Sequence, residues 1–226
     1  MQKQATNQNG FAVVELFTSE GCSSCPPADE AVANLLKDYT QNVYVLGFHV
    51  DYWNSFGWKD AFSNGAYSSR QQQYGNVFKL NSIYTPQAIV NGKTEFTGSD
   101  TKRLQTSVEE GLLQKQGLKV DVSAKSGDGK TVTVTYQLNQ PSSNLLNIAL
   151  VQLQAQSQVQ RGENSGKLLL HVNVVRDFKT IAVGEAKGII SLTLPAGTDV
   201  KDFEVIAYLQ DAHLLRVMAA TSTVIE

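Results

Sequence analysis

The stretch Phe11-Ala-Val-Val-Glu-Leu-Phe-Thr-Ser-Glu-Gly-Cys22-Ser-Ser-Cys25-Pro-Pro-Ala-Asp29 decides how this chain is read. Phe11 to Phe17 is a short apolar run, interrupted by Glu15, that ends at the polar turn Thr18-Ser19-Glu20-Gly21, the pattern of a buried strand. Pro26 and Pro27 suit the first turn of a helix, whose N–H groups have no partner within the helix. Val32, Leu35, Leu36 and Tyr39 then recur at helical spacing. The order is strand, Cys-x-x-Cys, helix. Two cysteines so placed can close and reopen a small disulfide ring. The positive end of the helix favours a thiolate on Cys22, which makes Cys22 the attacking sulfur and Cys25 the resolving one. The same spacing also suits a structural disulfide, inert thiols or half of a metal site.

Working outward, Val43 to Phe48 reads as a second strand, leading into the loop His49 to Trp58 that carries both tryptophans. Lys59 to Phe78 reads as loosely helical. Gln87 to Val90 and Thr94 to Phe96 flank Asn91-Gly92, a two-residue hairpin turn in which both positions tolerate positive φ. Leu104, Val108 and Leu112 place an apolar stripe on a helix from about Asp100 to Gln116. From Leu118 the period changes to two. Leu118, Val120 and Val122, a turn at Ser126-Gly127-Asp128-Gly129, and Val132, Val134, Tyr136 and Leu138 predict a hairpin. Further strands are expected at Leu146–Leu153, Leu168–Val175, Ile189–Leu194, Phe203–Leu209 and Leu214–Ala219. The expected organisation is a polar tail at residues 1–10, an α/β domain at 11–117 and an all-β antiparallel sandwich at 118–226.

Composition bounds the partners. With 19 basic and 21 acidic residues, a net charge of −2 and 42% hydrophobic content, nothing predicts a nucleic-acid footprint or a polybasic membrane patch. No run approaches the roughly 20 apolar residues that span a bilayer. Two cysteines are too few for a disulfide-stapled scaffold or a four-cysteine zinc site. The polar, Asn/Gln-rich opening Met1 to Gly10 fits either a mature exported protein whose signal was replaced by a start methionine, or the natural tail of a cytosolic one. No phosphate-binding glycine loop, supported Ser-His-Asp set or paired-carboxylate motif is found, and no cofactor or resident metal is expected.

The order strand, Cys-x-x-Cys, Pro, helix, strand, with Thr85-Pro86 just before a later strand and a turn glycine at Gly92, resembles a thioredoxin-like domain. That resemblance implies a cis bond at Pro86, a proline that shapes the substrate groove beside the cysteines and keeps metal off them, with Thr85 next to it. The strings Glu15 to Asp29, His49-Val-Asp51-Tyr-Trp53, Tyr84-Thr-Pro86-Gln and Gly162-Glu163-Asn164-Ser-Gly166 resemble a family of bacterial secreted thioredoxin-like proteins of unknown function. The likeness covers nearly the whole chain and implies a periplasmic or secreted location but no established substrate. Ser23-Ser24 in place of Gly-Pro, and the lack of a Trp before Cys22, set this chain apart from ordinary thioredoxins and leave its reduction potential open.

Glu15 could relay the proton of Cys25. His49 and Asp51 could act on a proton, and Trp53 and Trp58 line a substrate groove or pack on the second domain. Glu163, Asn164 and Arg176 are candidates for an interdomain contact or a substrate-binding edge, with Glu163 and Arg176 a conceivable pair. His171 and His213 read as hydrogen-bonded structural histidines in strands. The expected function is a thiol-disulfide oxidoreductase of the cell envelope acting on a protein or small-molecule thiol or disulfide. Two alternatives stand beside it: a copper or zinc metallochaperone using Cys22, Cys25 and His49, and a non-catalytic binding module.

Overall fold

The computed structural model describes residues 10–127 and 129–226. The expected tail (apart from Gly10) and Asp128 of the expected turn lie outside the described residues. Among those described, the chain forms β1 (Ala12–Thr18), α1 (Pro26–Asp38), β2 (Val43–His49), a 3-10 turn at Tyr52–Phe56, α2 (Gly65–Phe78), β3 (Gln87–Val90), β4 (Thr94–Thr97) and α3 (Thr101–Leu112). After these come β5 (Val120–Ser126), β6 (Thr131–Leu138), β7 (Leu145–Gln158), β8 (Leu168–Ala182), β9 (Lys187–Thr193), a 3-10 turn at Val200–Asp202, β10 (Phe203–Gln210) and β11 (Val217–Val224). No helix among these residues is long and apolar enough to cross a membrane.

The expected division into a thioredoxin-like α/β domain followed by an all-β sandwich is corrected by the sheet topology. One mixed sheet of eight strands runs in the order β11-β10-β7-β8-β2-β1-β3-β4, and a second sheet, β5-β6-β9, has three. Strands from both sides of residue 117 therefore share one sheet. The seam is the parallel pairing of β2 with β8 at Gly47 and Val174. β8 runs close past Gly47: a Cβ there would lie 3.4 Å from the Val172 carbonyl oxygen, in ordinary contact. Across the same seam Asn173, at φ 48, donates its side-chain N–H to the Val45 carbonyl. On the other side of β8, the β7–β8 register shifts between Leu150 and Val151, which pair with Asp177 and Val175.

Burial follows this topology. β1 is buried on both faces. Ala12, Val14 and Leu16 pack with α1 and α3, whereas Val13 and Phe17 face the α2 side. The α2-side core continues across the seam, joining Phe17 and Phe48 to Val151, Val175, Ile206 and Tyr208. At the far end the small sheet packs on the large one, with Val132, Val134 and Leu192 against Leu146, Ile148, Val205 and Leu209.

Local signals account for the element ends. Asn64 and Asp100 cap α2 and α3 by accepting from the N–H groups of Ala66 and Arg103. Asn91 and Gly92 both have positive φ, as the hairpin reading requires, and a Cβ on Gly92 would fall 1.8 Å from the Leu215 carbonyl oxygen. The β3–β4 turn is thus pressed against the β10–β11 connection, to which Asn91 is tied by accepting from the Val217 N–H. The predicted helix 59–78 begins only at Gly65, α3 ends at Leu112, and β7 and β8 run to 14 and 15 residues, longer than the apolar runs announce. His213 lies in the β10–β11 turn, outside any strand.

Candidate functional site

Cys22 and Cys25 are joined by a disulfide at the start of α1. Cys25 occupies the N-cap position, and its carbonyl accepts from the N–H groups of Ala28 and Asp29. The loop before it is tightly wound: the Cys22 N–H donates to the Ser19 carbonyl and the Cys25 N–H to that of Cys22. The Ser24 hydroxyl lies 3.4 Å from the Cys22 sulfur. Ser23 and Ser24 are exposed, yet both cysteines have 0% exposure.

Three segments remote in sequence close around this loop. The first is the Thr85-Pro86 peptide, which is cis, as the resemblance implies. Pro86 packs near Leu16 and Ala28 around Gly98, while the Thr85 hydroxyl accepts from the Trp53 indole N–H at 2.7 Å. The second is the 3-10 segment after β2, where Trp53 lies against Gly21 and Phe56. Its neighbour Trp58 donates its indole N–H to Glu20 at 2.6 Å. The third is the tip of the β7–β8 ribbon. Asn164, fully buried, donates its amide N–H groups to the carbonyls of Glu20 and Cys22, both at 2.9 Å. Glu163 accepts from the Ser23 N–H, and its hydrogen bonds from Ser23 hold its carboxyl below the ordinary range. Gly162, at φ 77, allows the tip to approach Trp58, whose Cβ would be 3.3 Å from a Cβ at that position.

Beneath the loop lies a buried ionisable cluster. Glu20 and Asp29 flank the two cysteines in sequence, and His171 of β8 inserts between them. Its Nε2 stands 3.6 Å from Glu20 and its Nδ1 3.5 Å from Asp29. These are ion-pair separations too long for good hydrogen bonds, and neither ring nitrogen has a hydrogen-bond partner. Burial alone would depress the His171 pKa, but the two carboxylates override it and raise the value to about 9. The imidazolium is therefore the form present at neutral pH. Alongside, His49 Nδ1 pairs with Asp60 at 2.7 Å, and Asp60 also accepts from the Glu20 N–H. Burial pushes the Asp60 carboxyl up, but the His49 charge and these hydrogen bonds hold it below its ordinary value. The His49 and His171 rings meet edge to face at 4.7 Å.

Other residues singled out in the sequence are placed elsewhere. Glu15 points to the α2 side of the sheet, away from α1. Its carboxylate takes two hydrogen bonds from Arg70, at 2.6 and 2.9 Å, and one from the Tyr74 hydroxyl at 2.6 Å. Arg70 in turn reaches Tyr208 and Gln210 of β10, so this network binds α2 to the sheet. Asp51 accepts from the Ser68 hydroxyl and ties the 3-10 segment to α2. Arg176 lies over the Phe62 ring and donates to Gln152, and so is not paired with Glu163. Of the proposed metal set, the two sulfurs are bonded to each other and His49 Nδ1 to Asp60. Sequence reasoning passed over Glu20, Asp29, Asp60 and His171 as functional residues. The first two stand at the edges of the cysteine motif and were within reach, but nothing in the sequence marks the other two.

Residues 13–210 match a protein family described as of unknown function, DUF1223. No curated protein matches the chain. A crystal structure of a protein from Agrobacterium tumefaciens, a structural-genomics target, is similar with a TM-score of 0.69 at 28% identity, over 94% of this chain and 93% of that one. The similarity thus extends over both the cysteine-bearing half and the β-rich half.

Proposed function

The chain belongs to the DUF1223 family of proteins of unknown function, and from that premise we propose that it is a thiol-disulfide oxidoreductase of the bacterial cell envelope. The observation that supports this reading most is the Cys22–Cys25 disulfide at the start of α1, with Cys25 as the N-cap residue. A helix start stabilises the thiolate that thiol-disulfide exchange requires. In the reducing direction the Cys22 thiolate attacks a substrate disulfide, one substrate sulfur leaves as thiolate, and Cys22 is held in a mixed disulfide. The Cys25 thiolate then attacks the Cys22 sulfur, releases the second substrate thiolate and closes the bridge seen here. A dithiol donor returns the pair to the reduced state. An oxidising compartment suits a chain whose two cysteines are both in a disulfide.

Because the bridge is buried, a visiting sulfur reaches it only after part of the surround moves. The ribbon tip around Glu163 and Asn164 covers the loop through three hydrogen bonds, and its release is the motion this reading invokes. Equilibrating the protein in glutathione buffers and counting alkylated cysteines by mass tests the reading. Two cysteines cycling together, with Cys22→Ser abolishing turnover and Cys25→Ser trapping a mixed disulfide, is the expected result. A pair that stays oxidised in the folded protein at every poise ends it.

A further inference from the structure

Why should a histidine be buried between two carboxylates that flank a disulfide loop in sequence? A structural role is satisfied by one well-aligned hydrogen bond, yet His171 makes none and keeps both nitrogens directed at acids from opposite ends of the cysteine motif. Glu20 lies two residues before Cys22. Asp29 lies four after Cys25, one helical turn on and on the same face of α1. Glu20 and Asp29 are both buried, and two buried carboxylates at the ends of the cysteine motif oppose any further negative charge on it.

We propose that His171 is the positioning cation of the disulfide site: clamped between Glu20 and Asp29, it offsets their charge so that a cysteine thiolate can form beside them. The proposal rests on the thiol-disulfide reading and adds to it the residue that sets the thiolate's electrostatics. The neighbouring charges leave His171 this role. His49 is directed at Asp60, and Arg176 on the same strand lies over Phe62. Trp58 supplies Glu20 with a neutral donor on its second oxygen. Lys167 is turned to Asn164. Among the described residues, His171 is thus the cation set against Glu20 and Asp29.

Reduction places a negative charge on the site and oxidation removes it, so the coupling is reciprocal: whatever His171 does for the thiolate, the thiolate does for the imidazolium. Two measurements on the full chain test this. In the first, thiolate ultraviolet absorbance of the chemically reduced protein is titrated against pH. Folded His171→Gln should show a thiolate midpoint about one unit higher, which is about tenfold less thiolate at neutral pH, and His171→Lys should restore it. In the second, the His171 ring is titrated by NMR in oxidised and in reduced wild type, which needs no variant to fold. Its midpoint should be higher in the reduced protein. Superimposable thiolate curves for folded His171→Gln, or a His171 midpoint indifferent to the redox state, overturn the proposal even if the protein turns over disulfides. Shifted curves in a protein that reduces no substrate keep the coupling and remove the oxidoreductase reading instead.

Discussion

Replacing Asn164 by Ala removes both amide hydrogen bonds that hold the β7–β8 tip on the cysteine loop. Each such bond to a buried carbonyl contributes about 1 kcal/mol net, so the local opening of the tip should become about 2 kcal/mol easier. The freed carbonyls become hydrated in the open state, which keeps the figure at this end of the range. If reagent reaches the bridge only through that opening, reduction by dithiothreitol accelerates by the same free energy, about 30-fold. The assay is the pseudo-first-order rate of disulfide loss in folded protein, followed by alkylation and mass. Global stability should move much less, because the tip carries few of the core contacts. An Asn164→Ala protein reduced at the wild-type rate would show that the ribbon tip does not shield the bridge, and access would have to be sought on the Trp53 and Pro86 side.

Three further outcomes are expected. Arg70→Met strands the buried Glu15 carboxylate and should cost about 3–5 kcal/mol, a fall of about 6–20 °C in calorimetric Tm; adding Glu15→Leu should recover much of it, and a single variant that melts with the wild type would discredit the network. Because the folded pKa of His171, about 9, is raised above the ordinary 6.5, its ion pairs stabilise the fold fully below pH 6.5 and that contribution fades as pH rises through 9. Urea unfolding across this interval should lose on the order of 1–3 kcal/mol, the lower end reflecting ion pairs without aligned hydrogen bonds, and His171→Gln should flatten the loss. Gly92→Ala meets both a positive φ and the Leu215 carbonyl, so it should destabilise by about 2 kcal/mol or more; an unchanged urea midpoint would mean that the turn does not press on the β10–β11 connection.

What the sequence by itself determined is local. The apolar run ending at Thr18, the prolines after Cys25, the Asn91-Gly92 turn and the alternating strands from Val120 each depend on neighbours a few residues away, so they were legible and lie near where they were expected. The helix α2 was read only loosely because its buried stripe is Tyr67, Arg70, Gln71 and Tyr74, a face whose burial is made possible by Glu15, Tyr208 and Gln210 and whose period is hidden from hydrophobicity. The expected succession of a thioredoxin-like fold and an all-β sandwich was overturned for a similar reason. Period two announces a strand but carries no record of which edge it joins, and only the close approach of β8 to Gly47 makes one sheet of the two halves. That joining also brings Asn164 and His171 to the cysteine loop across more than 140 residues of chain. Hydrogen bonds and ion pairs between such distant partners leave no periodic trace in a single sequence, because their geometry exists only once the backbone has closed.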